Sequence, residues 1–371
     1  MLPHKEEKSI CILGDLLIYD HLGPDSEKAA ALLKESDIVF GNLETTLATK
    51  GYPAAKSITL RTRDHSILED FEKMNIKALS LANNHTMDFG FEGLFETIQV
   101  LDKHNIAHAG AGNNLEEALK LAILQLGDLK IAFLACSSHL ISHSIAGDDR
   151  PGIVPLRVNL KVEVLGREQQ ESVVQAVKIM TEADEEDLNN LLRIVEKARK
   201  ETDFIVVSTH WNSPIQPLLP PRRPWGDFQC QVAHKLIDAG ADIIMGHGDH
   251  ALQGIEVYKK RYIFYSLGHF VYHIGQPRRK RPSSKMESAW SKTTADPRAR
   301  WRFKETAIGK IVFSGSNIER VEVIPIVINE NGDPKIAYNE SAVSILNFLI
   351  VESRFLGTSL RIKDNRGIID A

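Results

Sequence analysis

The chain has 371 residues, enough for one large domain or two ordinary ones. With 43% hydrophobic and 25% charged residues its composition is that of a globular protein, which excludes a disordered, collagenous or coiled-coil chain. Its 45 basic and 49 acidic residues leave a net charge of −4, so no global field favours nucleic acid and none is expected as a partner.

The N-terminus, MLPHKEEKSICILGDLL, carries no long apolar core and no small-residue cleavage site. Over the first 140 residues short apolar runs alternate with helical patterns. SICILG, DIVFGN, KALSLA and KIAFLACS have the β-branched character of buried strands. Between them SEKAAALLKES, RDHSILEDFEKMN, GFEGLFETIQVLDKHN and NLEEALKLAILQ read as helices, and the alternation predicts an α/β fold. From about 160 to 202 the chain is charged and reads as a helical insertion. Strand patterns return in DFIVVSTH, ADIIMGH, QGIEVYK, YIFYSLGHFVY, AIGKIVF and RVEVIPIVI, with the helix FQCQVAHKLIDAG among them. The stretch 276–304 holds ten Lys or Arg against one Glu and one Asp. It reads either as a solvated basic loop or as an arm that contacts an anionic substrate, with Trp290 and Trp301 assisting. No apolar run reaches the roughly 18 residues of a membrane span. Cys11, Cys136 and Cys230 are too few and too widely spaced for a disulfide framework, so a cytoplasmic location is expected.

Functional residue types recur at one place in the pattern. SICILG ends in Gly14-Asp15, and DIVF in Gly41-Asn42-Leu43-Glu44. KALSLA ends in Asn83-Asn84-His85 with Asp88 following. DFIVVST ends in His210-Trp211-Asn212, and ADIIM in Gly246-His247-Gly248-Asp249-His250. In open α/β sheets ligands gather beyond the carboxyl ends of strands, so these residues should share one rim. Singly each is ambiguous: Asp15 could sit in a turn, Asn84 could cap a helix near Asp88, and His210 could be a core histidine. Together they suit Mn, Fe or Zn, one ion or two. A pair about 3.5–4 Å apart would need a bridging carboxylate, Glu44 or Asp15.

In this order, GD after the first strand, GNLETTL, LANNHTMDFG, HWN, GHGDH and YSLGHFVY, the sequence resembles the CapA family of poly-γ-glutamate capsule synthesis. So do Gly110-Ala111-Gly112 and the run Pro151 to Leu156. The resemblance implies a metallophosphatase-like (calcineurin-like phosphoesterase) four-layer αββα sandwich. It implies a single domain over 9–330, with the helical insertion at about 160–202, the basic loop at 276–304 and a C-terminal extension at 331–371. Carried over by position, Asp15 matches the first metallophosphatase Asp and Glu44 the bridging acid. Asn84, His210 and His247 match ligands of the second metal, and His250 one of the first. His85 matches the general acid, with Asp88 orienting it. Arg61 falls where relatives also carry an Arg near the motif; it could hold an anionic group bidentately or equally form a surface salt bridge.

Departures are visible as well. The first motif, Asp-x-His in ordinary metallophosphatases, has Leu17 at its third position. The family's HWG-x-E-Y loses its acid here. SLGNF becomes Ser266 to Phe270 with His269 in place of Asn, a residue read as substrate-binding, as an added ligand or as only a packing change. The expected function is a metal-dependent hydrolase, a phosphoesterase, acting on an anionic small molecule or polymer, with polymer-synthesis proteins as partners. Two alternatives stay open: a non-catalytic accessory or binding protein for an anionic polymer, and a γ-glutamyl hydrolase or transferase.

Overall fold

The computed structural model describes residues 7–164, 177–212, 227–274 and 302–370. The large sheet runs in the order Arg361–Lys363, Arg366–Asp370, Asn317–Ile328, Glu305–Ser314, Lys8–Leu17, Ile38–Leu43, Ile76–Ser80, Ala107–Ala109. The strand His269–Tyr272 joins it beside Lys8–Leu17, and Pro334–Ile336 beside Asn317–Ile328. The second sheet runs Ile255–Tyr258, Arg261–Phe264, Ile243–His247, Phe204–His210, Leu129–Ser137, Ala122–Leu126. The strands central to the site are parallel in both sheets.

The two sheets pack face to face, and the sequence shows why. Along Lys8–Leu17, Ile10 and Ile12 enter the core between the sheets, while Cys11 and Leu13 face the helices outside. In Leu129–Ser137, Ile131, Phe133 and Ala135 face the large sheet, and Ala132, Leu134 and Cys136 face outward. A strand covered on both faces must be apolar at every position, which is why SICILG and KIAFLACS read as continuous runs. Phe40 meets Phe133 across the sheets with ring centroids 5.1 Å apart. Helices Glu27–Lys34, Leu68–Lys73 and Gly90–Lys103 cover the outer face of the large sheet. Glu185–Glu201 and Asp227–Ala239 cover that of the second, giving a mixed α/β sandwich.

Three segments differ from their sequence reading. In NLEEALKLAILQ only Leu115–Ala118 is helix; Ala122–Leu126 is an edge strand paired with Leu129–Ser137 through a tight Gly127-Asp128 turn, with Gly127 at φ +58°. A glycine-containing two-residue turn between apolar runs is a hairpin signal that outweighs a few residues of helical periodicity. The stretch read as a helical insertion begins as a hairpin, Val158–Val164 against Val177–Ala183, and only Glu185–Glu201 is helix. Asp184 caps that helix by accepting from the backbone N–H of Glu186 and Asp187. Of the stretch 331–371, read as an extension, residues 331–370 are built into the body. Strand Arg366–Asp370 pairs with Asn317–Ile328, and helix Asn339–Arg354 sends Ala342, Ile345, Leu346 and Leu349 into the core between the sheets. The basic stretch lies, up to residue 301, outside the described residues. Among the described residues no helix is long and apolar enough to cross a membrane.

Candidate functional site

Strand register brings the functional residues into line. Asp15 pairs with Asn42 on one side and with His269 on the other, Asn42 pairs with Ser80, and His210 pairs with His247. The carboxyl ends of both sheets therefore open onto one place. The approach is close: Asp15 N–H donates to Gly268 O at 2.9 Å, and a Cβ on Gly14 would sit 2.0 Å from that oxygen. Only glycine fits at position 14.

A buried amide relay fixes the site. Asn42 Nδ2 donates to Asp15 Oδ1 at 2.9 Å. Asn83 Nδ2 in turn donates to Asn42 Oδ1 at 3.1 Å and to Leu43 O at 2.8 Å. The Oδ1 of Asn83 accepts from His85 N–H at 3.0 Å and from Thr86 Oγ1 at 3.1 Å. Asn83 is thereby committed to holding the turn. Its neighbour Asn84 keeps a buried Oδ1 with no hydrogen-bond partner.

Around Asp15 stand the other candidates. His247 Nδ1 lies 3.1 Å from Asp15 Oδ1, His250 Nδ1 3.5 Å from Asp15 Oδ2, and His210 Nε2 3.7 Å from Glu44 Oε1. Asp15, Glu44, His210 and His247 are fully buried. Even so, Asp15 Oδ2, both Glu44 carboxylate oxygens, His210 Nε2 and His247 Nε2 have no hydrogen-bond partner among the described residues. Buried polar atoms are almost always satisfied, so a concentration of orphans in one place calls for a missing partner. Asp15, Glu44, His250 and His269 each offer a ligand atom, and all four atoms lie within 4.8 Å of one another. Carboxylates, imidazoles and an amide oxygen form a donor set suited to a first-row transition ion.

Electrostatics agree with that reading. Burial, and next the charge of Asp15, push Glu44 well above the usual carboxylate range. Burial also raises Asp15, but His247, His250 and His210 outweigh it and hold that carboxyl well below its ordinary value. Burial holds His210 well below its usual value and lowers His269 to about 3. Imidazoles that stay neutral keep a lone pair for a cation, which two carboxylates in a dry site require.

Beside the cluster lies a cleft of about 400 Å³ whose walls include Glu44, Asn84, His85, His250 and His269. His85 Nδ1 donates to Asp88 Oδ2 at 2.6 Å, which leaves Nε2 for other chemistry. Asp88 is held in turn by Lys56 Nζ at 2.6 Å and by Leu60 N–H at 2.5 Å. Lys56 also donates to Asn84 O at 2.7 Å, so one cation braces both the candidate acid and a candidate ligand. Burial lowers His85, with Asp88 opposing.

The structure thus brings together Asp15, Glu44, Asn84, His85, Asp88, His210, His247 and His250. Arg61 is elsewhere: its guanidinium stacks 4.0 Å from the Phe89 ring centroid and reaches Lys50 O, and it is absent from the cleft wall. His269, expected to meet substrate, sits among the ligand candidates. Sequence reading passed over three cleft residues. His139 follows the strand Leu129–Ser137, stacks on His210 at 6.1 Å and is lowered to about 4 by burial. Its signal was the Ser-Ser-His that closes KIAFLAC, a sixth strand end of the same kind. Asn212 closes the His-Trp-Asn run, and its buried Oδ1 has no hydrogen-bond partner among the described residues. Lys56 lies in a loop with no pattern to mark it.

Residues 11–273 match the family model described as bacterial capsule synthesis protein PGA_cap. The chain belongs to this family. It is 28% identical to the PGA biosynthesis protein CapA of Bacillus subtilis, over 87% of this chain and 72% of that one. It is also 28% identical to the capsule biosynthesis protein CapA of Bacillus anthracis, over 90% and 71%. A probable polyglutamine synthesis accessory protein of Mycobacterium tuberculosis is 29% identical over 66% of this chain and 58% of its own length. All the site residues named above fall inside the PGA_cap match.

Proposed function

We propose that this PGA_cap protein is a metal-dependent hydrolase with a metallophosphatase-like αββα architecture, and that its substrate is an anionic phosphoester connected with polymer synthesis. The observation that carries the reading is the buried set of Asp, Glu, His and Asn atoms without hydrogen-bond partners among the described residues, placed where the strands of both sheets end. Asp15, Glu44, Asn84, His210, His247 and His250 would hold one or two divalent ions. Such ions polarise a phosphoryl oxygen and make water nucleophilic at neutral pH.

The chain's own residues supply the rest. His85, held through Nδ1 by Asp88, would act as acid in its doubly protonated form, giving the Nε2 proton to the departing oxygen and ending as the neutral ring with its Nδ1 proton still on Asp88. Lys56 fixes Asp88 and gives the cleft wall a positive charge suited to an anion. Leu17 and Ile58 add apolar wall that limits water.

A second reading is an accessory protein that binds an anionic polymer without cleaving it; the mycobacterial relative is named a probable polyglutamine synthesis accessory protein. One experiment separates the two. Metal content is measured on the purified protein, which is then assayed on phosphate mono- and diesters and on γ-glutamyl peptides, with and without Mn or Fe. Metal-dependent phosphoester turnover that disappears in Asp15→Asn supports the hydrolase. Polymer binding with no turnover of any substrate, unchanged in that variant, replaces it with the accessory reading; γ-glutamyl cleavage alone keeps the site and changes the bond.

A further inference from the structure

One side of the cluster is short of donors. Leu17 follows Asp15 by two positions, is buried and lines the cleft, yet brings only an alkyl group. Asp15, Glu44 and His250 by themselves give two carboxylates and one imidazole.

The neighbouring strand fills the deficit. Strands Lys8–Leu17 and His269–Tyr272 are parallel neighbours with Asp15 and His269 as register partners. The Gly14 and Gly268 backbones approach closely enough that a Cβ on Gly14 would clash, so the pairing is tight. His269 is 2% exposed, and its Nδ1 is buried with no hydrogen-bond partner among the described residues. Its ring lies nearly parallel to that of His250, with centroids 4.5 Å apart and 16° between planes, while Tyr272 packs on it at 4.7 Å. A histidine that merely filled space would find a partner for its polar nitrogen. Here its ligand atom lies within 4.8 Å of those of Asp15, Glu44 and His250.

We propose that His269 is a direct ligand of a transition-metal ion shared with Asp15, Glu44 and His250, which completes a two-oxygen, two-nitrogen set. The inference rests on the metal-dependent reading above and goes beyond it by assigning a first-strand neighbour to the coordination shell. It also gives a reason for the apolar Leu17: the fourth donor arrives from the adjacent strand. Two imidazoles with two carboxylate oxygens suit Zn, Mn or Fe in a compact site.

The test reads metal directly. The full chain is stripped with chelator and titrated with Co(II), followed by its visible absorption and by calorimetry, and equilibrium-dialysed Zn and Mn are counted by mass spectrometry. His269→Ala and the closer-shaped His269→Asn are compared with the parent, each checked by circular dichroism for a native fold. The expected result is that affinity for one ion per chain falls by about 100-fold or more in the alanine variant, since even the loss of an outer partner costs about 10–100-fold. The Co(II) spectrum should change in both variants, and any second ion should stay bound. If the parent loads normally and both folded variants load with the same affinity and spectrum, His269 is not a ligand, and the metal-dependent reading survives. If the parent takes up no Co(II), Zn or Mn, the metal reading falls, and this inference with it.

Discussion

Replacing Glu44 by Gln should make the metal-free protein more stable while removing its response to metal. Glu44 is fully buried, and neither carboxylate oxygen has a hydrogen-bond partner. Burial first, and Asp15 next, raise its carboxyl well above the ordinary range. Without metal the folded protein therefore keeps a proton that the unfolded chain releases above about pH 4.3. Stability then falls as pH rises past that value, by about 1.4 kcal/mol per pH unit, until Glu44 itself ionises. Asp15 acts in the opposite sense: burial raises it, but the surrounding histidines hold it low, so its contribution is present above about pH 3.9 and lost as pH falls below. The two windows do not overlap. The glutamine side chain of the Glu44→Gln variant cannot ionise, and its amide can donate to Asp15, so the downward slope above about pH 4.3 should disappear. Metal changes the sign of the comparison. A cation that binds only the folded parent stabilises it by about 2.7 kcal/mol at a hundred times its Kd, and the variant should gain far less. Thermal unfolding of both proteins from pH 5 to 8, in EDTA and in excess Mn, measures each term. If Glu44→Gln is less stable than the parent in EDTA at pH 8, or gains an equal Mn shift, the argument from a buried uncompensated carboxylate is wrong.

Other perturbations separate the acid, its support and the backbone. His85→Ala should lower kcat on an alkyl phosphate by about 10²–10⁴-fold, with a smaller loss for a nitrophenyl ester whose leaving group needs no proton. Equal losses on both esters would remove His85 from the acid role. Lys56→Met leaves Asp88, 1% exposed, without its cation, and should cost about 3–5 kcal/mol in urea unfolding. Asp88→Asn on the same background should recover part of that loss. At Gly248, φ is +99° and a Cβ would stand 2.1 Å from Asn212 Oδ1 and 3.2 Å from His210 Nε2. Gly248→Ala should therefore weaken metal binding and cost about 1–3 kcal/mol of stability, read by calorimetry and urea midpoint.

Much of the site was legible because one rule was visible in the residues. When an apolar run that must be buried on both faces stops at a polar residue, that residue sits at a strand's carboxyl end. Asp15, Glu44, Asn84, His210, His247 and His250 were all placed this way. His139 obeys the same rule and was passed over only because its strand end carries serines first. Arg61 lies off the cleft wall because position near a motif says nothing of direction: its guanidinium stacks on Phe89. The hairpin Val158–Val164 and Val177–Ala183 was hidden by its charge: Leu160 and Val162 are exposed, and the burial of Thr181 and Ala183 at one end is too short to impose a clean period.

The sequence by itself determined the alternation of strands and helices, the set of polar residues at strand ends and the family they belong to, because burial and turn chemistry act on neighbouring residues. Tertiary structure decided what depends on distance between strands. It made Asp15 and His269, far apart in the chain, register partners. It separated two adjacent asparagines into a structural Asn83 and an Asn84 whose Oδ1 has no hydrogen-bond partner among the described residues. It also folded residues 331–370 into the core, since a strand's neighbour is chosen by packing across the sheet, which no local pattern records.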